Sequence, residues 1–399
     1  MFASRYLLQN IVYPEFISLK PEPDLGIVVV VPCYREPEIL KTLQSLAACG
    51  KPSCCVEVII VVNQPENETV ENNAMNRETF FQIEEWKKQA DSSWLRFSPI
   101  SPNPFPRKFA GAGMARKTGM DEAVRRFHAV ARPAGIIVSL DADTIVDPSY
   151  FIEIENFFRI NPAYAGATIR FQHRVEPETM NEKQVEGIRL YERYLHYYRD
   201  ALAFTGYPFA IFTIGSAFCC TAEAYVKQGG MNRRQAGEDF YFLHKLSQFG
   251  PIGEINSTCV YPSARLSDRV PFGTGPMLQR WLNGQEDLTR TYNFQAFCDL
   301  KLFFSRTGPL YKITTKDYQE LLEALPLPLQ QFLEEDGFFE ELEIINRHCA
   351  SDGAFRKRFF QVFNAFKILK FINYSHQKFY RNQDITEAEN ALSLYKTGT

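Results

Sequence analysis

Residues 135–143 read GIIVSLDAD. An apolar, β-branched run stops at Leu140, and two carboxylates one residue apart follow it, Asp141 and Asp143. A short continuous apolar run is what a strand covered on both faces requires. In open parallel sheets, ligands bind beyond the carboxyl ends of the strands. Alternation along an extended segment turns Asp141 and Asp143 to the same side. Such a pair can hold a hard divalent cation, with the other positions left to water and phosphate oxygens. Taken in isolation, it reads equally well as a strand end with two solvated aspartates.

The chain on either side supplies the rest of a sheet. Residues 26–32 (GIVVVVP) and 56–62 (VEVIIVV) are two more buried strands, and residues 36–48 between them have helical spacing. That unit implies a parallel pair joined by a right-handed crossover. Further on, the pattern predicts a helix over 71–88, a strand over 95–100, a proline-rich turn and a helix over 113–127. Pro148 suits the first turn of another helix. A long amphipathic helix over 179–204, a strand over 210–220 and a helix over 238–249 follow. Beyond about residue 275 the pattern turns helical and aromatic-rich, as at 297–304, 318–325 and 355–371. The expected architecture is α/β, with a mostly parallel central sheet in residues 1–275 and a helical C-terminal region, residues 276–399, packing on it.

Composition narrows the class. A formal net charge of −3 gives no global basic field for nucleic acid. The nine cysteines include no CxxC pair, and Cys54-Cys55 and Cys219-Cys220 are adjacent rather than spaced for zinc. Reduced thiols in the cytoplasm are expected. The N-terminus lacks the apolar core of a signal peptide. No charged residue falls between Asp200 and Glu223, a length that can span a bilayer. The stretch contains Gly206, Pro208, Gly215 and Ser216, and reads instead as a loop and a buried strand.

Three more segments belong beside the carboxylate pair. The first two strands end in Pro32-Cys33-Tyr34-Arg35-Glu36 and Asn63-Gln64-Pro65-Glu66, whose polar groups can bond a base and ribose or serve as caps and turns. In Gly111-Ala112-Gly113-Met114-Ala115-Arg116-Lys117, glycines permit close backbone approach and a cation can face phosphate. The alternative for Arg116 and Lys117 is a solvated helix face. Gly237-Glu238-Asp239-Phe240 opens a helix, whose N-terminus favours ionised carboxylates.

In order and spacing, four blocks resemble family 2 glycosyltransferases of the GT-A fold. They are VVVPCYREPEILKTLQSL, GAGMARKTGMDEAV, IIVSLDADTIVDPSYF and IGSAFCCTAEAYVKQGGMNRRQAGEDFYFLHKL, spanning roughly residues 26–250. The resemblance implies a GT-A nucleotide-sugar-binding fold and a donor that is a nucleotide diphosphate sugar, UDP-sugar before GDP-sugar. It implies that Pro32, Tyr34 and Glu36 line the nucleotide pocket and that Asp141 and Asp143 hold Mg²⁺ or Mn²⁺ against the diphosphate. Asp239 would be the general base of an inverting displacement, with Glu238 positioning the acceptor or supporting Asp239.

The sequence departs from the family in two places. Where many relatives have an acidic pair after the second strand, this chain has Asn63 and Glu66, so one of them must serve or the contact to the base differs. The late histidine that many relatives carry near the metal has no counterpart after Glu254, and His244 reads as a packed side chain. The segment from Arg265 to Gly275 can fill that gap. Arg265 and Arg269 can clamp a phosphate and the glycines can let the loop close, or the segment is a structural turn.

Other classes stay in view. Asp141-Ala142-Asp143-Thr144 nearly fits a haloacid dehalogenase phosphatase motif, with Asp141 as nucleophile. That motif ordinarily opens its domain, and here two strands come first. A nucleotidyltransferase would want a Gly- and Lys-rich loop after the first strand, which is missing. A non-catalytic sugar-binding module would have no need of both acidic pairs. The acceptor (polysaccharide, lipid-linked or small molecule), the oligomeric state and any peripheral membrane contact are not legible.

Overall fold

The computed structural model describes residues 2–176, 178–235, 237–266 and 273–396. The chain forms two compact units, residues 1–180 with 213–276, and residues 181–212 with 277–399.

The first unit is built on an eight-stranded sheet. Its elements in chain order are α1 (Ser4–Gln9), β1 (Leu25–Cys33), α2 (Ile39–Ala47), β2 (Cys55–Val62), α3 (Val70–Ala90), β3 (Leu95–Ile100), α4 (Ala112–Ala129), β4 (Ile136–Ser139), β5 (Ile145–Val146), α5 (Tyr150–Ile160) and β6 (Gly166–Phe171). After α6 (Glu182–Phe204), which belongs to the second unit, come β7 (Phe218–Thr221), α7 (Ala222–Lys227), α8 (Glu238–Ser247) and β8 (Ile252–Tyr261). The sheet order is β3-β2-β1-β4-β7-β6-β8-β5. β7 runs antiparallel to β4 and β6, and β5 antiparallel to β8; every other pairing is parallel. The sheet is therefore mostly parallel, as the apolar runs require. Val28 to Val31 and Val58 to Val61 are fully buried, since helices cover both faces.

α4 crosses β1 and β2 and carries buried charges, each held by a partner. Arg126 forks onto Glu57 of β2, with Nη2 donating to Oε1 at 2.6 Å. Glu122 accepts from the backbone amide of Ile17 at 3.2 Å. Buried charges persist only when paired in this way, so α4 is a fixed beam under the strand ends.

The second unit contains α6, most of α9 (Thr274–Leu282), β9 (Arg290–Thr291), α10 (Phe294–Ser305), α11 (Thr315–Glu323), α12 (Leu327–Glu335), α13 (Phe338–His348), α14 (Asp352–Val362), α15 (Ala365–Lys378), β10 (Gln383–Asp384) and α16 (Ile385–Lys396). β9 and β10 form a small antiparallel ribbon. Phe303, Phe338, Phe355, Phe359 and Phe363 pack ring on ring in its core. A division at 275 leaves α6 with the sheet, whereas α6 clusters with the later helices.

Two expected elements differ. Of the strand expected over 210–220, only Phe218–Thr221 is extended, and 210–217 lacks regular structure. The helix expected over 355–371 is two helices. Asn364 caps the second, its Oδ1 accepting from the amides of Phe366 (3.0 Å) and Lys367 (3.3 Å). Among the described residues, no helix is long and apolar enough to cross a membrane. All nine cysteines are free.

Candidate active site

The carboxylate pair lies where β4 ends. Leu140 still donates its amide to Val30 of β1 (3.1 Å), and the carbonyl of Ala142 accepts from the Thr42 hydroxyl of α2 (2.8 Å), so the Asp-Ala-Asp backbone is fixed from both sides. The Asp141 and Asp143 side chains are 36% and 24% exposed, open enough to meet a ligand.

Arg116, near the start of α4, joins this strand end to the Gly-Glu-Asp-Phe segment. It is buried. Its Nη2 donates to Asp141 Oδ1 (2.5 Å), its Nη1 to Ser139 Oγ (2.7 Å) and its Nε to Glu238 Oε1 (2.8 Å). Ser139 passes the contact on to the carbonyl of Gly215 (2.7 Å). A Cβ at Gly215 would come within 2.4 Å of Arg116 Nη2 and 3.3 Å of Asp239 Oδ2, so only glycine leaves room for both groups. Burial works against the Arg116 charge. Asp141 and then Glu238 more than offset it and hold the guanidinium above its ordinary pKa.

Asp239 begins α8 behind Gly237, whose φ of 69° suits glycine. Its Oδ1 accepts from the amide of Phe240 (2.7 Å). Burial, and then the charge of Glu238, push its carboxyl up to about 7 against the pull of Arg116. That is the range in which a carboxylate works as a general base near neutral pH.

A second arginine holds the other side. Arg265, just past β8, forks onto Glu36, its Nη1 donating to Oε1 at 2.8 Å, while its Nη2 lies 3.4 Å from Asp143 Oδ2. Glu36 is 1% exposed, so it anchors Arg265 rather than presenting a free carboxylate to a nucleotide. Arg174, after β6, donates to the carbonyl of Asp143 (3.3 Å). Arg269 lies outside the described residues.

At the tips of β1 and β2, Tyr34 donates its hydroxyl to Glu68 (2.5 Å). Pro32 is half-buried in register with Val61. Arg35 holds φ 52°, uncommon for a side-chain-bearing residue, with its amide donating to Asn76 Oδ1 (3.1 Å). Asn63 is buried and donates its amide to Cys33 (3.0 Å). Glu66 accepts from the amide of Arg107 (3.2 Å).

Two sequence expectations change. Lys117 does not face the strand ends with Arg116. It is buried between Asp121 (3.0 Å) and the Tyr6 hydroxyl of α1 (3.1 Å), in a cluster that Tyr225 completes on Asp121 (2.9 Å). Consecutive helical residues point about 100° apart, so adjacency in sequence separates these two cations. The glycines at 111 and 113 serve a different approach from the one expected. A Cβ on Gly111 would meet the Gln235 carbonyl at 2.5 Å, and one on Gly113 the Arg234 carbonyl at 2.2 Å. They admit the protein's own Arg234-Gln235 backbone.

His244 is buried against the Phe240 ring (4.4 Å), and burial pushes its imidazole down to about 4. Sequence reasoning missed Ser139, Gly215, Arg174 and the buried His173, whose Nε2 is 3.0 Å from Thr274 Oγ1. Only Ser139 carried a signal, as a polar residue inside an apolar strand.

Glu36, Asp141, Asp143, Glu238 and Asp239 bring five carboxyl groups to two arginines, Arg116 and Arg265. That excess of negative charge fits a divalent cation. Among the described residues no three His, Cys, Asp or Glu side chains form a metal cluster. A cation here would draw its remaining ligands from water and a bound diphosphate, as Mg²⁺ commonly does.

Residues 136–310 match the sequence model of the family described as glycosyl transferase family group 2. That range includes both acidic pairs and Arg265. Among solved structures, S. aureus TarS 1–349 is similar at 14% identity over 94% of this chain and 92% of that chain, with a TM-score of 0.39. The complex of TarS 1–349 with UDP-GlcNAc is similar at 14% identity over 84% of this chain and 92% of that one, with a TM-score of 0.43. No curated protein matches by sequence.

Proposed function

We propose, from the match of residues 136–310 to the glycosyl transferase family group 2 model and from the mostly parallel α/β sheet, that the chain is a family 2 glycosyltransferase of GT-A type that carries out a metal-dependent, inverting transfer from a nucleoside diphosphate sugar to an acceptor hydroxyl. The observation that carries this reading is Arg116, which bonds Asp141 at the strand end and Glu238 at the start of α8 at once. It brings a diphosphate-side carboxylate and the acceptor-side pair into one site.

In this reading the Asp239 carboxylate takes the proton of the acceptor hydroxyl as its oxygen attacks the anomeric carbon. The bond from that carbon to the diphosphate breaks, and the nucleoside diphosphate leaves with the electron pair. Attack opposite the leaving group inverts the anomeric centre. Asp141 and Asp143 would hold Mg²⁺ or Mn²⁺, which neutralises charge on the leaving diphosphate when bound. Arg116 fixes Asp141 and holds Glu238 in place beside Asp239. Tyr34, Pro32, Asn63 and Glu66 stand at the strand tips where a base and ribose would lie. A UDP-sugar is the preferred donor and a GDP-sugar the second. Nine free cysteines fit a reducing, cytoplasmic setting.

The test is product analysis by NMR after incubation with UDP- and GDP-sugars, Mn²⁺ and an acceptor panel. One nucleoside diphosphate released, with a product of inverted anomeric configuration, is expected. A retained configuration would remove the base role from Asp239, and inorganic phosphate as the first product would remove the transferase mechanism itself.

A further inference from the structure

Two loops meet beside the proposed base, and both are basic. Arg107 and Lys108 lie in one, and Arg233 and Arg234 in the other. All four are exposed. The loops are joined by the Gln235 side chain, which donates to the Arg107 carbonyl (2.8 Å), and by the backbone contacts that Gly111 and Gly113 permit.

Lys108 and Arg233 flank the same Phe109 ring, at 5.6 and 5.0 Å from its centroid. Arg234 lies 3.4 Å over the Tyr241 ring, on the helix that Glu238 and Asp239 open. A Cβ on Gly113 would touch both the Arg234 carbonyl (2.2 Å) and Glu238 Cβ (2.9 Å), which puts the Arg234 backbone next to the acidic pair. None of the four cations forms an ion pair with a described residue, although the chain as a whole is net negative. Glu66 accepts from the backbone amide of Arg107.

Cations on adjoining loops with no ion-pair partner among the described residues repel one another, and an anionic ligand relieves that repulsion. Stacking on Phe109 and Tyr241 holds Arg233 and Arg234 in place, so little side-chain freedom is lost when they bind. The donor's diphosphate belongs at the strand ends with Asp141 and Asp143. Arg234 instead adjoins the helix start that carries the proposed base, its backbone packed against Glu238 and its guanidinium over the Tyr241 ring. We propose, resting on the assignment of Asp239 as the base, that the acceptor is anionic and carries a phosphate or carboxylate group near the hydroxyl that is glycosylated. Arg233 and Arg234 are its principal contacts, and Arg107 and Lys108 extend the field around it.

The probes are inorganic tripolyphosphate and tricarballylate, titrated calorimetrically into the full chain, both free and saturated with UDP or GDP and Mn²⁺. One or both anions are expected to bind the wild-type protein, and which of them binds tighter identifies the acceptor's charged group. The double variant R233Q/R234Q should bind at least about tenfold more weakly while keeping wild-type nucleotide affinity. The variant K357Q/R358Q removes the same charge from exposed positions of α14 and should bind as wild type does. Three results would each overturn the inference: neither anion binds, both double variants weaken binding alike, or R233Q/R234Q loses nucleotide affinity in step with anion affinity. Failure of the donor reading looks different, because then neither UDP nor GDP binds any of the proteins.

Discussion

Two arginines hold the two aspartates of the Asp-Ala-Asp turn, in opposite settings. The Arg116 side chain is 4% exposed and is fixed by three partners, Ser139 of β4, Asp141 just past it and Glu238 of α8, with Glu238 almost equally buried. The Arg265 side chain is 28% exposed, grips a buried Glu36 and only reaches toward Asp143. The first is part of the packed interior and its charge cannot move without disturbing α4, β4 and α8 together. The second keeps a face to solvent, at the edge of a segment rich in Arg and Gly. The comparison teaches that one site can combine a charge locked into the interior beside the proposed base with one that keeps a face to solvent at the carboxylate pair.

The largest expected difference is in stability. Arg116→Met strands Glu238 in the interior and should cost about 3–5 kcal/mol, as breaking a buried pair does, read by urea denaturation. A loss below about 1 kcal/mol would mean that Arg116 is no more fixed than a surface ion pair.

Next comes the chemistry on the Arg116 side. Asp239→Asn should lower turnover by at least ~10²-fold and leave donor affinity near wild type, as steady-state kinetics with a direct binding measurement would read. Equal losses in both would move Asp239 from base to donor contact.

On the other side, Arg265→Met should cost about 1–3 kcal/mol, the range for losing hydrogen bonds to a charged group, and less than Arg116→Met on the same denaturation curves. The reverse order would dissolve the contrast.

The smallest effect is in the pH profile. Asp239 is raised to about 7 by burial and by Glu238, and a base acts only when deprotonated. Turnover should therefore hold above pH 7 and fall as pH drops through about 7. A rate flat down to pH 5 would place the base elsewhere.

The parallel half of the sheet was legible because β1, β2 and β4 are continuous apolar runs, buried on both faces. β6 escaped notice because its Gly-Ala-Thr-Ile-Arg-Phe is short and carries an outward arginine. The stretch 210–217 looked like a strand because it lacks charge. Its Gly215 instead lets the backbone pass close by Arg116. At the site, the two acidic pairs could be found from their positions at a strand end and a helix start. What joins them could not, since the bond from Arg116 to Glu238 spans 122 residues. Lys117 was misplaced because its burial with Tyr6, Asp121 and Tyr225 depends on contacts across the fold. In the sequence, the glycines of the 111–113 turn suggest room for a ligand, and only the fold reveals that the Arg234-Gln235 backbone fills that room.

The central claim, that Asp141 and Asp143 bind a nucleoside diphosphate through a divalent cation, is tested most directly by calorimetry. UDP, GDP and CMP are titrated into wild-type protein and Asp143→Asn, with and without Mn²⁺. One nucleoside diphosphate should bind wild type only when Mn²⁺ is present, and Asp143→Asn should lose that binding. Absence of binding by every nucleotide with and without metal, or undiminished binding in Asp143→Asn, would contradict it.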